Sequence, residues 1–217
     1  MSADGGMADF LVAEGRVCVP VGADVALERA VLMEPCAVAL HAVHQVDIAG
    51  RRVAVIGIGS LGLCLVEAAV LAGAGEVVAV SRSEVAREAA LEGGAGAALP
   101  PEEAGDIDAE VVFETAGAAP AIAASFAAVR RGGRIVVLGG HPGPTEIDLL
   151  NLVIREVALQ GSVSHCFADF VAAASAITAG ELARAHRQVE FAPLESGPAL
   201  LRAEAATTKR ILVPGLP

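Results

Sequence analysis

Three glycines give the first chemical reading. Gly57, Gly59 and Gly62 stand in the run Gly-Ile-Gly-Ser-Leu-Gly, directly after the apolar segment Arg52-Val-Ala-Val-Ile and directly before a helix-forming stretch, 60–72. Glycine at the first position permits a tight turn. At the second it removes the side chain where the main chain must approach a diphosphate, and at the third it lets the helix pack on the strand. The N–H groups of Ser60, Leu61 and Gly62, at the positive end of the helix, then grip the anion. Strand, spacing and helix agree, so the run reads as a dinucleotide cradle and not as an ordinary glycine turn.

The next strand end selects the cofactor. A carboxylate about 20 residues after the glycines would bond the ribose hydroxyls of NAD. Here the strand 76–80 ends in Ser81, Arg82 and Ser83, with no acid available. A carboxylate repels a 2′-phosphate, whereas serine and arginine bond it, so NADP is favoured and NAD remains possible. Two further strand ends, Glu114-Thr115-Ala-Gly117 and Leu138-Gly139-Gly140-His141, lie where open α/β sheets bind ligands. Thr115 and the main chain of Leu138, Gly139 and Gly140 are the candidates to touch the nicotinamide; the other reading of each is a plain loop.

These residues need a scaffold, and the hydrophobic pattern supplies one. Short apolar runs at 52–57, 76–80, 97–99, 109–114, 134–138 and 157–163 alternate with helical stretches at 60–72, 83–92 and 119–129. That alternation predicts α/β architecture: a doubly wound parallel sheet, the Rossmann arrangement, over 35–163. Before it, 8–13 and 16–20 read as short strands, a helical pattern begins at Asp24, and Pro35 opens a helix over 36–46. After it come helices at 167–178 and 197–206 and a closing strand at 210–213.

Composition narrows the function classes. Fifteen Lys and Arg against 26 Asp and Glu give a net charge of −11, which opposes nucleic-acid binding. Tyr and Trp are absent, which removes the usual base-stacking platforms. The run 53–75 imitates a membrane span, and the mean hydropathy is +0.61. Glu67 and the glycines argue instead for a buried strand–turn–helix and no membrane partner. The start of the chain carries no basic, apolar leader. Cys18, Cys36, Cys64 and Cys166 show no paired spacing, so they read as small buried hydrophobes in a reducing cytoplasm.

Taken together, the sequence resembles the medium-chain, zinc-type alcohol and polyol dehydrogenases, in their sorbitol- and threonine-dehydrogenase-like branch. The resemblance rests on Gly5-Gly-Met-Ala-Asp-Phe-Leu-Val, Met33-Glu-Pro-Cys-Ala-Val-Ala-Leu-His-Ala-Val, the glycine run, Arg131-Gly-Gly-Arg-Ile-Val-Val-Leu-Gly and Lys209-Arg-Ile-Leu-Val. It implies an NAD(P)-dependent oxidoreductase that moves hydride between an alcohol or ketone and the nicotinamide, with zinc as Lewis acid. It also implies that Glu34 is a catalytic and metal residue, as a direct or water-bridged zinc ligand, and that Lys209 contacts cofactor phosphate. The residues alone read equally as a helix-start carboxylate and a solvated lysine.

One departure qualifies these expectations. The family's long N-terminal segment, with the Cys and Gly-His-Glu that ligate zinc, has no counterpart in these residues. Zinc is therefore expected from the family, but three protein ligands are needed and Glu34 is one. His41 and His44, three apart, read as packing or surface histidines; His141 and His165 are better placed to line a cleft. The expectation is residues 1–34 and 164–217 as remnants of a GroES-like catalytic domain around a cofactor domain at 35–163. Such a chain is incomplete as a stand-alone catalyst, or else a catalytically silent dinucleotide-binding or interaction protein. Its expected partners are an alcohol or ketone, and a second copy paired along the sheet edge after Leu138 and around 148–154, or a chain supplying the missing half. Exposed apolar edges should result.

Overall fold

A computed structural model describes residues 5–183, 189–200, 202 and 209–215. Six parallel strands form the main sheet: β1 (Arg52–Ile56), β2 (Glu76–Val80), β3 (Ala97–Leu99), β4 (Ala109–Glu114), β5 (Val129–Val137) and β6 (Ala158–Gly161). Their order is β3-β2-β1-β4-β5-β6. The chain winds outward from β1 to β3, then crosses back to β4, so the topological switch lies between β1 and β4. Register is direct there: Val53 faces Val111 and Ile56 faces Glu114.

Eight helices accompany the strands among the described residues: α1 (Leu27–Ala30), α2 (Met33–His44), α3 (Ser60–Leu71), α4 (Glu84–Glu92), α5 (Ala119–Ala128), α6 (Leu149–Arg155), α7 (Phe167–Thr178) and α8 (Gly197–Leu200). Strand β1 serves two cores by alternation. Val53 and Val55 pack with α2, α3 and α7 on one face. Ala54 and Ile56 pack with α5 on the other. The helices on the first face approach closely because their contact positions are small: Ala37, Ala39, Ala42, Ala68, Ala69 and Ala173 are all fully buried. Helix α7 thus belongs to the sheet's own core although it follows the last sheet strand.

Glu67, inside α3, is also fully buried. Its carboxylate accepts the N–H of Ala183 at 2.7 Å. This bond ties the turn after α7 to the middle of α3, and it gives a buried polar side chain one of the partners that an apolar interior demands. No helix among the described residues is long and apolar enough to cross a membrane.

Four local expectations change. Residues 8–13 and 16–20 form no strand; only a 3-10 turn, Gly15–Val17, appears there. Phe10 is 92% and Val12 99% exposed, so these segments lack the neighbouring strand that a lone extended run needs. The strand expected at 134–138 begins earlier, taking in Arg131-Gly-Gly as part of β5, with an irregularity in pairing between Ala109 and Val111. The helical pattern from Asp24 shrinks to α1, capped by Ala26 without a side-chain bond. The helix expected at 197–206 is seen as α8, and 201 and 203–208 lie outside the described residues. The closing strand, β8 (Lys209–Val213), pairs in parallel with β7 (Val189–Pro193) in a separate two-stranded sheet.

Candidate dinucleotide site

The glycine run bends at the carboxyl end of β1. Gly57 has φ +96°, and a Cβ there would sit 2.7 Å from the Ala116 Cβ. A Cβ on Gly62 would fall 1.9 Å from the Gly57 carbonyl oxygen. The same carbonyl accepts the Thr115 hydroxyl at 2.5 Å. These two glycines therefore exist for close packing of strand, helix and the neighbouring loop.

Gly59 is different, since no atom lies within 4 Å of a Cβ built on it. It is the N-cap of α3, and no side chain caps that helix. Helices α4 and α6 are capped by Ser83 and Asp148. The Ser60 hydroxyl is buried without a hydrogen-bond partner. Open space, unsatisfied helix N–H groups and an orphaned hydroxyl converge where a diphosphate would lie, so the residues fit a dinucleotide.

At the end of β2, Ser81 keeps its strand position, with its N–H donating to Leu99 at 3.1 Å. Its hydroxyl accepts the Ser83 N–H at 3.3 Å. Arg82 is exposed, and its guanidinium has no hydrogen-bonded or ion-paired partner among the described residues. Sequence reasoning missed Arg87. Its guanidinium folds back one helical turn to donate to the carbonyls of Ser81 at 2.8 Å and Arg82 at 3.2 Å, and so holds the turn.

The third strand-end group is built around Glu114, whose side chain is fully buried. One carboxylate oxygen accepts the Gly117 N–H at 2.8 Å, and the other lies 3.2 Å from Nε2 of His141. Nδ1 of His141 is 3.4 Å from the Thr145 hydroxyl. The main-chain carbonyl of Glu114 accepts the N–H groups of Leu138 and Gly139. A Cβ on Gly139 would fall 2.2 Å from the Gly117 nitrogen. Backbone thus packs on backbone, which brings Thr115, Leu138, Gly139 and Gly140 to one end of the sheet beside the glycine run. Glu114 was visible in its motif, but nothing local announced that it would pair with a histidine 27 residues away.

The remaining candidates share no hydrogen bond or ion pair with this group among the described residues. Lys209 heads β8 and makes no hydrogen bond or ion pair with the residues above. Glu34 is exposed in the first turn of α2. No group of three or more His, Cys, Asp or Glu side chains among the described residues is placed to hold a metal ion. The residues present therefore do not fit a catalytic zinc. His165 stacks on Phe170, with ring centroids 5.6 Å apart.

His41 and His44 share one partner, Asp169 of α7. Their Nδ1 atoms lie 2.8 and 3.0 Å from its two carboxylate oxygens. The N–H and thiol of Cys166 donate to the same carboxylate, each at 3.0 Å. Burial pushes the Asp169 carboxyl up, but the bonds from Cys166, His44 and His41 outweigh it and hold the group well below the usual carboxylate range. This cluster clamps α2 to α7.

Comparison with known proteins agrees with this geometry. Residues 60–179 match the family described as zinc-binding dehydrogenase, and the chain belongs to that family. Among relatives, it is 32% identical over 176 residues to sorbitol dehydrogenase of Macaca fascicularis, covering 75% of this chain and 49% of that protein. It is 30% identical over 168 residues to L-idonate 5-dehydrogenase (NAD(P)(+)) of Escherichia coli, covering 73% and 49%. A putative zinc-binding dehydrogenase from Sinorhizobium meliloti, solved bound to NADP, superposes with a TM-score of 0.78 at 27% identity, over 89% of this chain and 61% of that one. The chain spans about half the length of the curated relatives it matches.

Proposed function

We propose that this chain is the dinucleotide-binding part of an alcohol or ketone oxidoreductase, with NADP(H) preferred and NAD(H) possible. The observation that carries the reading is the open space at Gly59, with the uncapped α3 and the orphaned Ser60 hydroxyl around it. When bound, the nicotinamide supplies the hydride acceptor or donor. The chain's own residues do the rest. Ser60, Leu61 and Gly62 hold the diphosphate by their main-chain N–H groups. Ser81 and Arg82 select the 2′-phosphate, on a turn that Arg87 keeps in place. Thr115 and the main chain of 138–140 position the ring, over loops that Glu114 ties together. The NADP in the Sinorhizobium relative supports the choice of cofactor.

The test uses an advantage of the composition. With no Trp or Tyr in the chain, reduced-nicotinamide emission is read with little protein background. We expect NADPH to bind at least tenfold more tightly than NADH, a gap of about 1.4 kcal/mol. Ser81→Asp should reverse that order, because it sets a carboxylate against the 2′-phosphate and offers one to the ribose. Failure of the chain to bind either nucleotide would overturn the proposal; tighter NADH binding would overturn the role given to Ser81 and Arg82.

A second reading, a silent dinucleotide-binding or interaction protein derived from the family, is favoured by the missing metal-ligand set among the described residues. Nucleotide binding without turnover of any alcohol in the complete protein would select it. In either case the boundary expected at 163 moves: we propose a cofactor domain that runs from 35 through α7, because Ala173, Ala174, Ala176 and Ile177 share its core, with flanking segments before 35 and after α7, and a cytoplasmic setting. Phe10, Leu11 and Val12, all exposed, support a further half that covers them.

For self-association we propose a homodimer across β6, an edge strand flanked by Leu149, Leu150, Val153 and Ile154, each more than half exposed. Sedimentation should show a dimer that Val153→Lys with Ile154→Lys converts to monomer. A monomeric parent would exclude it.

A further inference from the structure

Two cysteines meet across the interface of α2 and α3. Cys36 and Cys64 are each 0% exposed, and their sulfurs lie 3.4 Å apart. Cys18 and Cys166 are exposed. A disulfide holds its sulfurs about 2.05 Å apart, so small side-chain rotations on two helices already in contact would close the gap. The sequence treats all four cysteines alike, as small hydrophobes. The structure separates them and sets two against each other. Cys64 lies near the candidate cofactor cradle in the chain, following Gly62 by two residues in α3.

We propose that Cys36 and Cys64 are a redox-modification site, oxidised by hydrogen peroxide to an intramolecular disulfide that staples α2 to α3. The balance is simple. One sulfur, as thiolate, attacks a peroxide oxygen; the O–O bond breaks, and the departing hydroxide takes up the thiol proton and leaves as water. The sulfur is then a sulfenic acid. The second sulfur attacks it, the S–S bond forms and the S–O bond breaks, and the hydroxyl leaves as a second water with the second thiol's proton. Two electrons pass from the sulfurs to the peroxide, and nothing else is consumed. Full burial selects a small neutral oxidant over a bulky disulfide reagent. The product restrains the helix whose first turn carries Ser60, Leu61 and Gly62. A plain packing contact between two thiols is the competing account, and it predicts no cross-link.

The experiment uses the full chain with Cys18→Ser and Cys166→Ser, which removes the exposed thiols. After peroxide treatment the protein is unfolded, alkylated and digested with trypsin. We expect peptides 30–51 and 53–82 joined, 2 Da lighter than their sum. No alkylatable thiol should remain, and dithiothreitol should restore both. The thermal midpoint should rise by about 5 °C, since the link constrains the unfolded chain. Recovery of both cysteines alkylated, or as separate sulfinic acids, overturns the proposal. So does a peroxide-induced rise in midpoint that persists in Cys36→Ala. Should that variant fail to fold, the peptide map of the parent still decides.

Discussion

Gly59→Val should abolish dinucleotide binding and leave stability nearly unchanged, whereas Gly62→Val should lose both. The contrast follows from what each missing side chain would meet. Gly59 has φ −92°, ordinary backbone for any residue, and nothing lies within 4 Å of its Cβ position. Valine there costs at most about 1 kcal/mol through the weaker N-cap. Its methyl groups would occupy the space into which a diphosphate must come, and affinity should fall at least 100-fold. At Gly62 the Cβ would sit 1.9 Å from a main-chain oxygen. Backbone must move to admit it, which costs roughly 3 kcal/mol or more. Urea unfolding and an NADPH titration on both variants make the measurement. Wild-type affinity in Gly59→Val would show that the cradle holds no phosphate.

Loss of the Asp169 side chain should destabilise the protein more than any exposed substitution, by about 3 kcal/mol at pH 7. Asp169→Ala removes a buried carboxylate and strands four donors, from His41, His44 and twice from Cys166. The effect should depend on pH in one direction. The folded-state pKa of Asp169 is lowered, and the unfolded value is about 3.9. Below that value the unfolded chain binds the proton more readily than the folded one, so acid removes this contribution. The deficit of Asp169→Asn relative to the parent should therefore be largest above about pH 4 and shrink as pH falls further. Urea midpoints at pH 7 and pH 3 test it. A deficit equal at both would show that the carboxylate's charge plays no part.

The scaffold was readable where physics is local. Strands β1, β2, β3 and β4 are short apolar runs because helices cover both faces; the limits of β2, β3 and β4 emerge as expected, and β1 stops one residue early, where Gly57 turns. The glycine run was readable for the same reason, since turn, strand and helix adjoin in sequence. Helix α6 escaped notice because its apolar residues, Leu149, Leu150, Val153 and Ile154, face outward and mark no core stripe. Segments 8–13 and 16–20 misled in the opposite sense, with strand-like composition but no neighbour to pair with. Within the candidate site, the position of Ser81 and Arg82 at the end of β2 was accessible from spacing, but Arg87 and Glu114 act through contacts that spacing does not encode. The three-residue interval of His41 and His44 places them on one helix face. That the same face meets Asp169, 128 and 125 residues away, is a fact of tertiary packing alone.

The carbonyl oxygen of Gly57 is a meeting point of three segments. The turn after β1 provides it, the bare α-carbon of Gly62 makes room for it, and the Thr115 hydroxyl grasps it. In the proposed binding mode, the anion end and the ring end of the crevice therefore share a single joint. Neither can be retuned in isolation: an engineer who reshapes one must expect the other to answer, and improvements sought separately at the two ends will not add.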